Sequence, residues 1–167
     1  EQVINVGYIG FVPPQIMTWD KDNLTGKVIA KDIVASAKKY IPQMKSEGAD
    51  VIIAIPHSGM YVGNYEQGEE NATYHLAKVE GIDAILFGHS HKVFPGDSSL
   101  DNIEGVDNAT GTVFGVPATM PGFWGSHLGL VDLVLEQEGP GWKVVKGSSS
   151  VRAIAKRDGR TTVPFVE

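Results

Sequence analysis

Apolar positions run almost unbroken from Val3 to Val12 and stop at Pro13-Pro14, which predicts a buried strand that leaves its sheet at the prolines. The polar run 20–26 is no calcium loop: its fifth position is Leu24, its glycine falls one place late and no Glu follows at the twelfth position, so it reads as a turn. Over 32–47 the residues Ile33, Val34, Ala37, Tyr40, Ile41 and Met44 recur at the helical period, predicting an amphipathic helix with a kink at Pro42 and a left-handed cap at Gly48. A second helix is expected over 69–80, with Ala72, His75, Leu76 and Val79 on one face and Gly81 as its cap.

Each helix leads into an apolar run, 51–55 and 84–87, that does not alternate. Strands of that kind are buried on both faces, as in a parallel sheet covered by helices. The segments 47–54 and 80–87 share Glu-Gly, Asp and an apolar strand at a fixed offset, so two consecutive αβ units are predicted and the middle of the chain is α/β. Residues 96–111 are rich in Gly, Asp and Asn and read as a loop. Strands over 112–118, 128–136 and 142–145, with a turn at 138–141, read as an antiparallel group, and the tail from Gly147 reads as an edge strand running into a linker.

Composition narrows the classes. The 167 residues, 42% hydrophobic and 20% charged, match about one domain and exclude a disordered chain. A net charge of −6 argues against binding of a nucleic-acid polymer or an anionic membrane. No apolar run reaches the ~20 residues of a membrane span, and the opening has neither the charged nor the apolar region of a leader. Cysteine is absent, so a metal would be held by His and carboxylates.

Three of the five histidines follow the two repeated strands. The first strand runs into Pro56-His57-Ser58-Gly59 and the second into Gly88-His89-Ser90-His91. Ligands of open α/β sheets gather at such carboxyl ends. The stretch after Gly88 reads as extended, so His89 and His91 point to one side, toward one cavity or two adjacent metals, with Gly88 allowing a close turn. Neutral imidazoles suit Zn, Mn, Fe or Co. His75 lies on an apolar helix face and reads as a core-edge residue, whereas His127 begins a strand and reads first as packing. Asn64, Trp124 and His127 are candidate cleft-lining residues, and the charges Glu66, Glu69 and Glu70 read as a solvated face.

Together with Pro121-Gly122-Phe123-Trp124-Gly125-Ser126-His127-Leu128-Gly129, these segments resemble the C-terminal part of a calcineurin-like metallophosphoesterase domain of the 5′-nucleotidase superfamily. The opening 7–20 narrows the resemblance to the 2′,3′-cyclic-nucleotide 2′-phosphodiesterase/3′-nucleotidase branch. The resemblance implies a four-layer α/β/β/α sandwich with mixed sheets, occupied here by residues 1–150, with 151–167 an edge strand and linker toward a nucleotide-binding domain. It implies two divalent ions (Mn, Zn, Fe, Co or Mg), His57 and His89 matching ligands of one and His91 a ligand of the other.

The family's Asp-x-His and Asn-His motifs occur nowhere in the chain, so the general acid is expected upstream and no catalytic residue is assigned here. The chain is accordingly expected to be an incomplete, inactive piece of an exported bacterial enzyme, periplasmic or at the cell surface. On this expectation it need not hold metal by itself, its parent takes a nucleotide substrate, and its uncovered sheet faces favour self-association. The 5′-nucleotidase/UDP-sugar hydrolase branch and a non-catalytic α/β binding module remain open alternatives.

Overall fold

The structure is a computed structural model that describes residues 2–165. Its centre is a mixed sheet in which β1 (Val6–Phe11), β2 (Val51–Pro56), β3 (Ala84–Leu86) and β7 (Val116–Pro121) lie side by side and parallel. Beyond β7 the sheet turns antiparallel through β6 (Thr112–Val113) and β5 (Val106–Asp107), and β4 (Val93–Phe94) also pairs with β7. The unalternating runs at 51–55 and 84–87 are thus parallel strands, as expected.

One face of the sheet carries the helices. α1 (Ile16–Trp19) and α2 (Lys21–Leu24) are single turns occupying the stretch read as a polar turn. α3 (Ile33–Ser46) follows the predicted helix closely. The Asp32 side chain accepts the Ala35 N–H at its start, and Gly48 with φ 99° follows its end. α3 runs on through Pro42, whose ring faces solvent. Its Ile33, Ala37 and Ile41 are fully buried in one core with Ile52, Ala54, Leu76, Ile85, Phe94 and Met120. Burial of each such large side chain contributes ~1.5–3 kcal/mol.

The helix expected over 69–80 contracts to α4 (Thr73–Leu76). Two N–H groups ahead of it are used elsewhere: Asn71 donates to Glu69 Oε1 at 3.0 Å and Ala72 to Ser58 Oγ at 2.8 Å. The strand expected over 112–118 is two strands, because Phe114 (φ 49°) and Gly115 (φ 80°) make the two-residue reversal between Val113 and Val116.

On the other face, β8 (His127–Glu138) and β9 (Gly141–Ala153) form a long antiparallel hairpin, both strands longer than expected. It lies close over β7: a Cβ added to Gly129 would stand 2.9 Å from Thr119 Oγ1, and Ser149 Oγ donates to the carbonyls of Gly111 and Ala118. The β1–β3 part of the same face is open, with Val6, Tyr8, Ile55 and Leu86 between 37% and 63% exposed. The tail expected as edge strand and linker supplies the end of β9 and a further hairpin of β10 (Ala155–Asp158) with β11 (Thr161–Pro164); Val166 and Glu167 lie outside the described residues. No described helix is long and apolar enough to cross a membrane.

Candidate metal centre

Parallel pairing brings the two histidine-bearing loops to one rim. His57 follows β2 directly, its N–H donating to the Phe11 carbonyl at 2.9 Å, so the ladder with β1 sets its position. The next residue, Ser58, is fully buried; its hydroxyl donates to the Glu70 carbonyl at 2.7 Å, and its own carbonyl accepts from Thr73 Oγ1 at 2.9 Å. The Gly59 N–H donates to Asn71 Oδ1 at 3.1 Å. The His57 loop is therefore fastened to the 69–73 segment at successive residues.

Phe87 extends the β3 ladder by donating to the Thr119 carbonyl at 3.0 Å. The chain is then not extended, contrary to the expectation from sequence. His89 (φ 76°) and His91 (φ 58°) are both left-handed, and Ser90 N–H returns to the Gly88 carbonyl at 3.0 Å. Gly88 is not left-handed and has open space where a Cβ would stand, so the turn falls on the histidines themselves. Left-handed conformations cost non-glycine residues of order 1–3 kcal/mol and persist where the surroundings enforce them.

The outcome separates the three histidines by environment. His57 and His89 meet edge to face, ring centroids 5.1 Å apart at 63°. Trp19 of α1 stacks on His89 at 5.3 Å and 24°, and Glu70 Oε1 lies 2.7 Å from His89 Nε2. His91 stacks on Phe123 at 5.0 Å and 21°, and Phe123 meets Trp124 at 5.1 Å. Beside His57 a groove of about 380 Å³ is lined by Ile55, Leu86, Gly88, Thr119 and Pro121 among others.

Of the candidate cleft residues, Trp124 stands 94% exposed in a loop where it, Gly122 and Gly125 are all left-handed. His127 Nδ1 is 2.9 Å from Ser126 Oγ. Asn64 lines a separate polar depression with Tyr61, Glu66, Glu69 and Asn71. His75 is 8% exposed with its Nε2 unpartnered, between the rings of Tyr65 and Tyr74. Burial, then the Lys78 charge, pushes its pKa below the ordinary value, against a smaller opposing effect of Glu69.

Sequence reasoning missed two neighbours of His89. Glu70 reads in sequence as one of the solvated charges, yet of Glu66, Glu69 and Glu70 it is the one bonded to an imidazole, and no local pattern distinguishes it from the other two. Trp19 lies in the opening segment whose resemblance was noted, but nothing in its spacing announces a partner 70 positions later.

The donor chemistry fits a divalent ion in part. His57 and His89 are adjacent imidazoles at the ends of neighbouring parallel strands, and His89 keeps one ring nitrogen clear of Glu70. Among the described residues no three of His, Asp, Glu or Cys are grouped as a complete ligand set.

The carboxyl rim of a parallel sheet, where open α/β folds gather their ligands, here carries two adjacent imidazoles and one carboxylate. Residues 3–93 match the profile of the calcineurin-like phosphoesterases, and the chain belongs to that family. It is 52% identical over 153 residues to the 2′,3′-cyclic-nucleotide 2′-phosphodiesterase/3′-nucleotidase of Salmonella typhimurium, covering 92% of this chain and 24% of that protein. It is 50% identical over 156 residues to the trifunctional nucleotide phosphoesterase YfkN of Bacillus subtilis, covering 93% of this chain and 11% of that protein.

The crystal structure of the B. subtilis calcineurin-like phosphoesterase YfkN superposes with a TM-score of 0.88 at 48% identity, over 92% of this chain and 46% of that one. The Thermus thermophilus sulfate thiohydrolase SoxB shares the fold, with a TM-score of 0.61 at 21% identity over 89% of this chain and 22% of that one. The chain therefore spans about a quarter or less of the length of these curated relatives.

Proposed function

We propose that this chain supplies the imidazole ligands of a divalent-ion site in a nucleotide phosphoesterase: His57 and His89 toward one ion, His91 toward a second. The whole protein, on this reading, hydrolyses 2′,3′-cyclic nucleotides and 3′-nucleotides, the activities in the name of the Salmonella relative, and its exported location belongs to the same proposal. The observation that carries it is the convergence of His57 and His89, from loops after neighbouring parallel strands, to a ring separation of 5.1 Å. His91 lies two residues further along the same turn, its ring stacked on Phe123.

Bound divalent ions would polarise a phosphate ester and lower the pKa of a water. The chain's own residues do the holding. β1 and β2 place His57, the Glu70 carboxylate and the Trp19 ring restrain His89, and Phe123 restrains His91. The groove beside His57, walled by Ile55, Leu86 and Pro121, keeps one side of that rim apolar.

The test uses the full-length protein. With Mn²⁺ or Zn²⁺ supplied, hydrolysis of a 3′-nucleotide and a 2′,3′-cyclic nucleotide is expected, and each of His57→Ala, His89→Ala and His91→Ala should reduce kcat/KM by ~100-fold or more. Full activity in all three variants would overturn the reading.

A further inference from the structure

Glu70 touches the rim at two points. Its Oε1 stands 2.7 Å from His89 Nε2, with the two side chains only 35% and 20% exposed. Its backbone carbonyl accepts the Ser58 hydroxyl at 2.7 Å, and Ser58 is the buried neighbour of His57. An ionised carboxylate can only accept a hydrogen bond, so on a neutral imidazole the contact requires the proton on Nε2 and leaves the Nδ1 lone pair as the ring's donor. Trp19, stacked on the same ring, restrains its plane.

We propose that Glu70 is a positioning residue: its carboxylate fixes His89 as the Nε2–H tautomer and aims Nδ1. The surrounding segment is built for such a role. Asn71 Oδ1 accepts the Gly59 N–H at 3.1 Å, and the Ala72 N–H donates to Ser58 Oγ at 2.8 Å, so residues 70, 71 and 72 all hold the His57 loop while Glu70 alone also reaches across to His89. A charge-assisted hydrogen bond to a ring that is half enclosed is stronger and more directional than an exposed ion pair. The consequence for ion affinity rests on His89 being a ligand; the tautomer does not.

The experiment reads both separately on the full-length protein. Long-range ¹⁵N–¹H spectra of the imidazoles at about pH 8 should show wild-type His89 as the Nε2–H tautomer, Glu70→Gln should keep it because the amide oxygen also accepts, and Glu70→Ala should give a mixture. Titration with Zn²⁺ or Mn²⁺ should show affinity lower by ~10–100-fold in Glu70→Ala and partly restored in Glu70→Gln.

An Nδ1–H tautomer in the wild type would overturn the proposal without any variant, and so would a Glu70→Ala spectrum unchanged at His89. The expected tautomers with no ion bound by any variant would sustain Glu70's positioning of the ring and tell against His89 as a ligand.

Discussion

The carboxylate of Asp50 accepts the backbone N–H of Trp142 at 2.9 Å, across 92 residues of chain. Its other oxygen accepts the Asn5 N–H at 2.8 Å, and its backbone carbonyl accepts Lys45 Nζ at 2.8 Å. The entrance of β1, the start of β2, the end of α3 and the tip of the β8–β9 hairpin thus meet on one residue. The site lies at the opposite, carboxyl end of the same strands, so this junction sets the sheet that carries it.

Acid should release that junction. The N–H groups of Asn5 and Trp142 hold the Asp50 carboxyl below its ordinary pKa of 3.8. A depressed carboxylate contributes stability that is fully present above the unfolded-state value and lost as pH falls through the lower folded-state value. The stability gap between wild type and Asp50→Asn, measured by urea unfolding, should therefore be constant from pH 7 to about 4 and shrink below 3.8. A gap that held constant down to pH 2.5 would contradict this account.

His75 predicts a second acid effect in a different window. Its folded-state pKa is depressed by burial and by Lys78, so below the ordinary 6.5 the unfolded chain takes up a proton that the native ring refuses. That difference disfavours the fold as pH drops through 6.5. His75→Phe removes the titrating ring and its unpartnered Nε2, and its stability relative to wild type should rise between pH 8 and pH 5. Equal pH profiles for the two chains would show that His75 is not the responsible group.

Gly59 is expected to be intolerant of any side chain. A Cβ there would collide with Asn71 Oδ1 and stand 2.8 Å from Ser90 Oγ, so the His57 loop and the turn after β3 would be pushed apart. Gly59→Ala should lose ~1–3 kcal/mol in chemical denaturation. Because the clash is shared with Ser90, the double variant Gly59→Ala/Ser90→Gly should recover part of the loss; strict additivity would refute the shared contact.

Trp19 offers a direct probe of ion binding. The chain has three tryptophans. With Trp124→Phe and Trp142→Phe, the remaining indole is the one stacked 5.3 Å from His89. Binding of paramagnetic Mn²⁺ or Co²⁺ at His57 and His89 should quench its fluorescence, and His89→Ala should abolish the quenching. Ion uptake detected by calorimetry with no change in Trp19 emission would place the ion elsewhere.

The amino-acid sequence by itself determined the α/β order, the parallel pairing of 51–55 with 84–87, the reach of α3, and the arrival of His57, His89 and His91 at strand ends. All of these follow from local rules: hydrophobic period, caps, and the fact that neighbouring parallel strands end on the same side. Where competing partners lay far along the chain, local rules gave the wrong extent. The segment ahead of α4, expected as the first turn of a helix over 69–80, is held instead by Ser58 and Gly59 of the His57 loop, and the tail expected as an edge strand running into a linker forms, by local pairing, the β10–β11 hairpin.

Only the tertiary structure decided which groups touch the imidazoles. It put His89 and His91 in left-handed backbone rather than an extended run, selected Glu70 from three similar glutamates, and laid Trp19 on His89. The last two of these depend on contacts 19 residues apart or more. A periodicity can announce that a histidine will reach the rim, but the direction of its ring is set by whatever distant side chains pack against it there.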